Sequence, residues 1–248
     1  MKLAEAVKLT DYTYAFTVDT AANAVMGLVE GVKDLGLNPM LTADMKEGVM
    51  KLFNVELINM PDLTSGRYIF APNHVSDFDA VILGLLHRQM RIVAKTDWTE
   101  HPKLAAFVAL HYDLYGINRA SAESLHRVMK DAIDYFKEDE ENKHFLVFNQ
   151  GTISDFNNNS PERISRIPQV LSLQTEIPVL FVFIEQPSIE HPTRIVFDEP
   201  TMIGKKDDYR AMWLERMAKL QDSLIPAARR PKLTYKHANN NKPGDEFF

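Results

Sequence analysis

Residues 67–86 read RYIFAPNHVSDFDAVILGLL. Arg67 to Pro72 is a short apolar, β-prone run ended by proline, and Asp79 onward is apolar in a helical pattern. Between them Asn73–Asp79, NHVSDFD, places a histidine and two carboxylates where packing requires none. The same alternation recurs downstream. RIVAK (91–95), HFLVFNQ (144–150) and IPVLFVFI (177–184) are further strand-like runs, and SAESLHRVMKDAIDYFK (121–137) is a helix with Ala122, Leu125, Met129, Ile133 and Phe136 on one face. Strands alternating with helices predict an α/β domain with a largely parallel central sheet flanked by helices. Sites in such sheets gather at the carboxyl ends of strands, so NHVSDFD and NQGTIS (149–154) emerge at one rim.

The first 52 residues have a different character. From about Asp11 to Leu52 apolar residues fall at three- and four-residue spacing, with a glycine stop near Gly36, which predicts an N-terminal helical appendage over 1–52 and an α/β domain over 53–248. Val18, Ala22, Val25, Met26 and Val29 form a stripe that either packs on the α/β body or lies on a membrane surface. FNNNSP (156–161) reads as a polar loop and HANNNKPGDEFF (237–248) as a loose tail.

The chain has 248 residues, 45% hydrophobic and 25% charged, enough for a substantial core. It contains no cysteine, which excludes disulfides, thiolate metal sites and a cysteine nucleophile. The formal net charge of −6 argues against general nucleic-acid binding. Basic residues outnumber acidic ones between Lys205 and Lys242, a segment that either approaches an anionic membrane or is a solvated surface. The longest uncharged apolar runs are too short to span a bilayer. These features predict a cytoplasmic protein, with peripheral contact on the inner face of the cell membrane as a further expectation.

Ser76 precedes Asp79 by three residues at the head of an apolar helix, the spacing of a capping box with aspartate for glutamate. Capping accounts for Ser76 and one carboxylate but leaves His74 over. A carboxylate in the first helical turn can also fold back onto an imidazole in the preceding loop, fixing its tautomer and raising the basicity of the other nitrogen. A metal site built from His74, Asp77 and Asp79 is the rival reading, disfavoured because no second histidine stands at helical ligand spacing. The other histidines, at 87, 101, 111, 126, 144, 191 and 237, read as surface or satisfied core residues.

Asn73-His74-Val75-Ser76-Asp77-Phe78-Asp79 resembles the N-H-x4-D block of the glycerolipid acyltransferases, the family that includes 1-acylglycerol-3-phosphate acyltransferase. Further blocks follow in order: Lys95 and Asp97 in AKTDW, Gly116, Ile117 and Arg119 in YGINR, FNQGTIS (148–154) where the family usually has F-P-E-G-T-R-S, and Ile177-Pro178-Val179 entering an apolar strand. The third block departs from the pattern, with Asn149 for proline, Gln150 for glutamate and Ile153 for the phosphate-contacting arginine. Losing that arginine removes a bidentate donor for a phosphate and puts a phosphorylated glycerol acceptor in doubt, although Arg119, Arg163 or Arg166 could supply a cation.

The resemblance implies acyl transfer from acyl-CoA or acyl-carrier protein to a lysolipid or related hydroxyl or amine acceptor. No metal and no cofactor beyond that co-substrate is implied. His74 would act as general base and Asp79 would orient it; Lys95 and Gly151 are candidates for the oxyanion or donor, and Arg119, Gln150 and Thr152 for the acceptor. The alternative is a catalytically inactive lipid-binding or scaffold protein of the same fold.

Overall fold

The computed structural model describes residues 18–76, 78–118, 121–138, 142–151, 164–185 and 189–224. The expected helical start at 11–17, the FNNNSP loop, the 237–248 tail and the basic residues beyond 224 lie outside them. In chain order come helices α1 (Val18–Asp34) and α2 (Thr42–Leu52), strands β1 (Val55–Ile58) and β2 (Tyr68–Pro72), α3 (Phe78–Gly84), β3 (Met90–Lys95), α4 (Thr96–Thr99), α5 (Ala105–His111), β4 (Asp113–Ile117), α6 (Ala122–Lys137), β5 (His144–Leu146), α7 (Ile167–Thr175), β6 (Val179–Ile184), β7 (Thr193–Phe197) and α8 (Tyr209–Leu224).

The strands form one seven-stranded sheet in the order β1-β7-β6-β2-β5-β3-β4. From β6 to β4 every neighbouring pair is parallel, whereas β7 runs antiparallel to β6 and carries β1 parallel to itself. The α/β architecture with a largely parallel, helix-flanked sheet is therefore present, with a reversed pair of strands at one edge. β2, β3, β5 and β6 coincide with the four apolar runs. β6 is buried along its whole length, as a central strand covered on both faces must be.

Two apolar layers cover the sheet. One joins α1, α2 and α3 residues to one side of the strands, including Leu28, Met45, Val49, Phe53, Phe78 and Ile82. The other joins α6, α7 and α8, with Val128, Phe136, Leu171, Trp213 and Met217. On α6 the buried positions are Ser124, Val128, Ala132, Tyr135 and Phe136, while Ala122 is exposed, so the face predicted from sequence is rotated toward Val128 and Ala132. Hydrophobic spacing leaves that latitude because Leu125, Met129 and Ile133 flank the contact as partly buried neighbours.

The α1 stripe turns inward. Ala22 and Val25 are buried in the first layer, and Val18, Met26 and Val29 pack against it, so this stripe is covered by protein rather than available to a bilayer. The two N-terminal helices cross closely: a Cβ on Gly48 of α2 would lie 2.7 Å from Val32 Cγ2 of α1, so only glycine lets the backbones approach this far.

His144, at the amino end of β5, is fully buried. Its Nε2 donates to Leu63 O at 3.0 Å, but Nδ1 has no partner, so the expected satisfied core histidine is satisfied at one nitrogen only. His111, by contrast, uses both nitrogens, on Pro39 O at 2.8 Å and Thr42 Oγ1 at 3.2 Å. Burial lowers the His144 pKa from 6.5 to about 4, against the pull of the Leu63 carbonyl and with the nearby His87 adding to the fall. Between those values the unfolded chain binds a proton that the folded chain refuses, so stability rises with pH across the window and is complete above it. Denaturant midpoints measured from pH 6.5 down to about 4 should fall, by a contribution on the order of 3 kcal/mol from this group. A His144→Phe variant should show a flatter profile.

Candidate active site

β2 delivers the chain to the rim and Asn73 sets its exit. The Asn73 side chain pairs with the backbone of β6, Nδ2 donating to Ile184 O at 2.9 Å and Oδ1 accepting from Ile184 N at 2.8 Å. This mimics one more rung of the parallel ladder, so residue 74 starts from a fixed place. The chain then turns into α3, which begins at Phe78. Ser76 Oγ accepts from Phe78 N at 3.2 Å, the N-cap contact that the sequence leads one to expect.

One oxygen of Asp79 gathers the turn. Its Oδ2 accepts from Val75 N at 2.6 Å, from Ser76 N at 2.8 Å and from His74 Nδ1 at 3.2 Å. The capping and dyad readings of the sequence thus describe the same carboxylate: it closes the capping box and holds the imidazole. A carboxylate can only accept, so the ring proton sits on Nδ1 and the lone pair is left on Nε2. The Asp79 side chain is fully buried and that of His74 is 15% exposed, so the imidazole keeps some contact with solvent while its partner is sealed away. Burial raises the Asp79 pKa, opposed first by the His74 hydrogen bond and charge and then by the Ser76 and Val75 amides. Its other oxygen, Oδ1, is buried without a partner.

The loop after β5 packs on the same imidazole. The Phe148 ring stacks on His74 with centroids 4.1 Å apart and planes at 26°. Gly151 N donates to Phe148 O at 3.0 Å, closing a turn in which Gly151 adopts φ +64°, a left-handed conformation suited to glycine. Within this turn Gln150 Oε1 accepts from the His74 backbone N–H at 2.8 Å. Asn149 Nδ2 donates to Tyr209 Oη at 2.6 Å, and Asn149 O accepts from Ser165 N at 2.8 Å. The sequence singled out Gln150 and Gly151 but not Phe148, Asn149 or Tyr209 as site residues. Phe148 stood in a quoted block, whereas nothing local to Tyr209 announces a partner 60 positions away.

The other expected residues fall as follows. Lys95 ends β3 and is exposed at the same rim, two strands from β2 and therefore about 10 Å away across the sheet. Asp97 is exposed on α4. Gly116 lies in β4, where an added Cβ would meet Thr99 Oγ1 at 3.2 Å. The Gly151 amide hydrogen is already committed to Phe148 O. Asp77, Arg119, Thr152, Ile153 and Arg163 lie outside the described residues. Among the described residues no three His, Asp or Glu side chains converge as metal ligands. A groove of about 450 Å³ is lined by Arg166, Gln169, Val170, Leu173 and Lys205–Asp208, with neither His74 nor Asp79 in its wall.

An imidazole steered by a buried carboxylate at the carboxyl rim of a parallel sheet has the geometry that general-base chemistry requires. Residues 54–179 match the Acyltransferase family model, and the chain belongs to that family. Among solved structures it resembles the 1-acyl-sn-glycerophosphate (LPA) acyltransferase PlsC from Thermotoga maritima, with a TM-score of 0.51 and 16% sequence identity over 88% of this chain and 87% of that one. At that identity the likeness speaks for the fold. A search of curated proteins gives no match.

Asp79→Asn keeps an oxygen for the Val75 and Ser76 amides while removing a buried charge, so its thermal midpoint should equal or exceed that of the parent at neutral pH. Catalytic turnover should drop by about 10²- to 10⁴-fold, because the amide no longer enforces the tautomer or stabilises the imidazolium. Differential scanning calorimetry beside a turnover assay checks both halves.

Proposed function

We propose that this acyltransferase moves a fatty acyl group from acyl-CoA or acyl-carrier protein to a hydroxyl or amine of a lysolipid or related acceptor. The observation that carries the reading is the hydrogen bond from His74 Nδ1 to Asp79 Oδ2 at 3.2 Å, in a chain of the Acyltransferase family. His74 Nε2 takes the proton of the acceptor as its oxygen or nitrogen attacks the thioester carbonyl carbon. The new C–O or C–N bond forms, the tetrahedral intermediate collapses, and the C–S bond breaks. The departing thiolate receives the proton from the imidazolium, so no enzyme-bound acyl group is needed. Asp79 balances the transient positive charge.

General-base assistance of this kind contributes about 10²- to 10⁴-fold, and orientation and donors to the developing oxyanion supply the remainder. Lys95 is the candidate for such a donor. Thr152 and Arg119 remain candidates for the acceptor. Gln150 for glutamate and Ile153 for arginine support an acceptor other than lysophosphatidate, since the bidentate phosphate donor of the family pattern is missing from its block. A bilayer-borne acceptor would require peripheral membrane contact, and no helix among the described residues is long and apolar enough to cross a membrane.

His74→Ala should abolish acyl transfer by the purified protein while shifting thermal unfolding little; free-thiol release from an acyl thioester is the readout, and normal turnover in the variant would remove the dyad from the mechanism. Offered phosphorylated and unphosphorylated lysolipids, alcohols and amines with one acyl-CoA, the enzyme should favour an unphosphorylated acceptor. Mass spectrometry of the products identifies it, and a clear preference for lysophosphatidate would reject that part of the reading.

A further inference from the structure

From the turn at residues 148–151 we infer that Gln150 is a positioning residue for the general base, and that the turn's side chains clamp His74 rather than read the acceptor. The inference rests on the proposed function for its kinetic consequences, though not for its geometry.

Three of the four residues act on one target or on the anchor behind it. Phe148 lies against the face of the His74 ring at 4.1 Å. Gln150 Oε1 takes the His74 backbone N–H at 2.8 Å, so the amide holds the main chain of the residue whose side chain the phenyl ring holds. Asn149 anchors the turn from behind, through Tyr209 Oη at 2.6 Å on α8 and through its carbonyl to Ser165 N at 2.8 Å. Gln150 and Asn149 are themselves buried, at 6% and 0% exposure. Asp79 fixes His74 from the α3 side through Nδ1, and Gln150 fixes it from the β5 side through the backbone. The Asp79 bond and the Phe148 ring restrict χ1 and χ2 of His74, while the Gln150 bond fixes the main chain from which those torsions start, and orientation of this kind is what makes a proton transfer productive.

The two substitutions that separate this turn from the family pattern then acquire a purpose. Asparagine in place of proline adds the side chain that bonds Tyr209, and glutamine in place of glutamate keeps a carbonyl-type acceptor for the His74 amide. What changes is charge. A glutamate here would set a second carboxylate beside His74, whereas glutamine leaves Asp79 as the acid that touches the imidazole. The neutral amide thus retains the positioning bond without adding a second charge to the turn.

Three variants and two readouts test this. In Gln150→Leu, which keeps bulk and loses the acceptor, kcat should fall about 10- to 100-fold with KM for the acyl donor nearly unchanged. Hydrogen exchange at the His74 amide should accelerate. Gln150→Glu should restore slow exchange and most of kcat, because its carboxylate oxygen also accepts from the His74 amide. Asn149→Ala should speed exchange at the turn. Unchanged exchange at the His74 amide in Gln150→Leu overturns the positioning role whether or not the protein turns over. A Gln150→Leu variant with parental kcat, or a Gln150→Glu variant that fails to regain it, overturns it kinetically. Absence of turnover in the parent protein, with exchange still altered in Gln150→Leu, would reject the proposed function and leave the clamp standing.

Discussion

A single carboxylate oxygen organises the candidate site. Asp79 Oδ2 accepts two backbone amides and one imidazole nitrogen, all from His74, Val75 and Ser76 in the link between β2 and α3. Removing water from that carboxylate disfavours its ionised form, and the three donors oppose the penalty. The same bonds that make burial tolerable also begin the helix and aim the imidazole. Helix capping and the placing of His74 are therefore one device. Its second oxygen receives no bond, a residual cost of holding the carboxylate beneath the turn.

Much of this was legible in the chain, for identifiable reasons. β2, β3, β5 and β6 carry continuous apolar runs because strands covered on both faces have no polar side to interrupt them. His74 and Asp79 were legible because their contact is local, five positions apart, and local contacts leave a spacing. The reversal of β1 and β7 was not. VELI and TRIVF are short, and nothing in four or five residues records whether a neighbour runs parallel or antiparallel. The Asn73 pairing with Ile184 spans 111 positions and the Asn149 pairing with Tyr209 spans 60, so neither carries a local signature. The α1 stripe illustrates a different limit. An apolar face states that it must be covered without naming the cover, and here the cover is the body of the protein.

The third sequence block shows how a departure from a family pattern is to be weighed. Read as a string, FNQG in place of F-P-E-G is two losses. In three dimensions Asn149 and Gln150 both make buried hydrogen bonds, one to Tyr209 and one to the backbone of His74. The turn keeps its left-handed glycine and its closure from Gly151 to Phe148. The missing arginine at 153 is a loss of another type, since no apolar side chain can present a planar pair of donors to a phosphate.

Phe53, just past α2, rests against Phe78 with ring centroids 5.1 Å apart, and Phe78 is the residue immediately before Asp79. The N-terminal pair of helices is thereby geared to the first turn of α3. Anything that pries α2 from the sheet, whether heat, a bound surface or a pulling force, loosens the seat of the carboxylate early in the process. A region with no side chain in the candidate site would then act as the throttle on how firmly His74 is held.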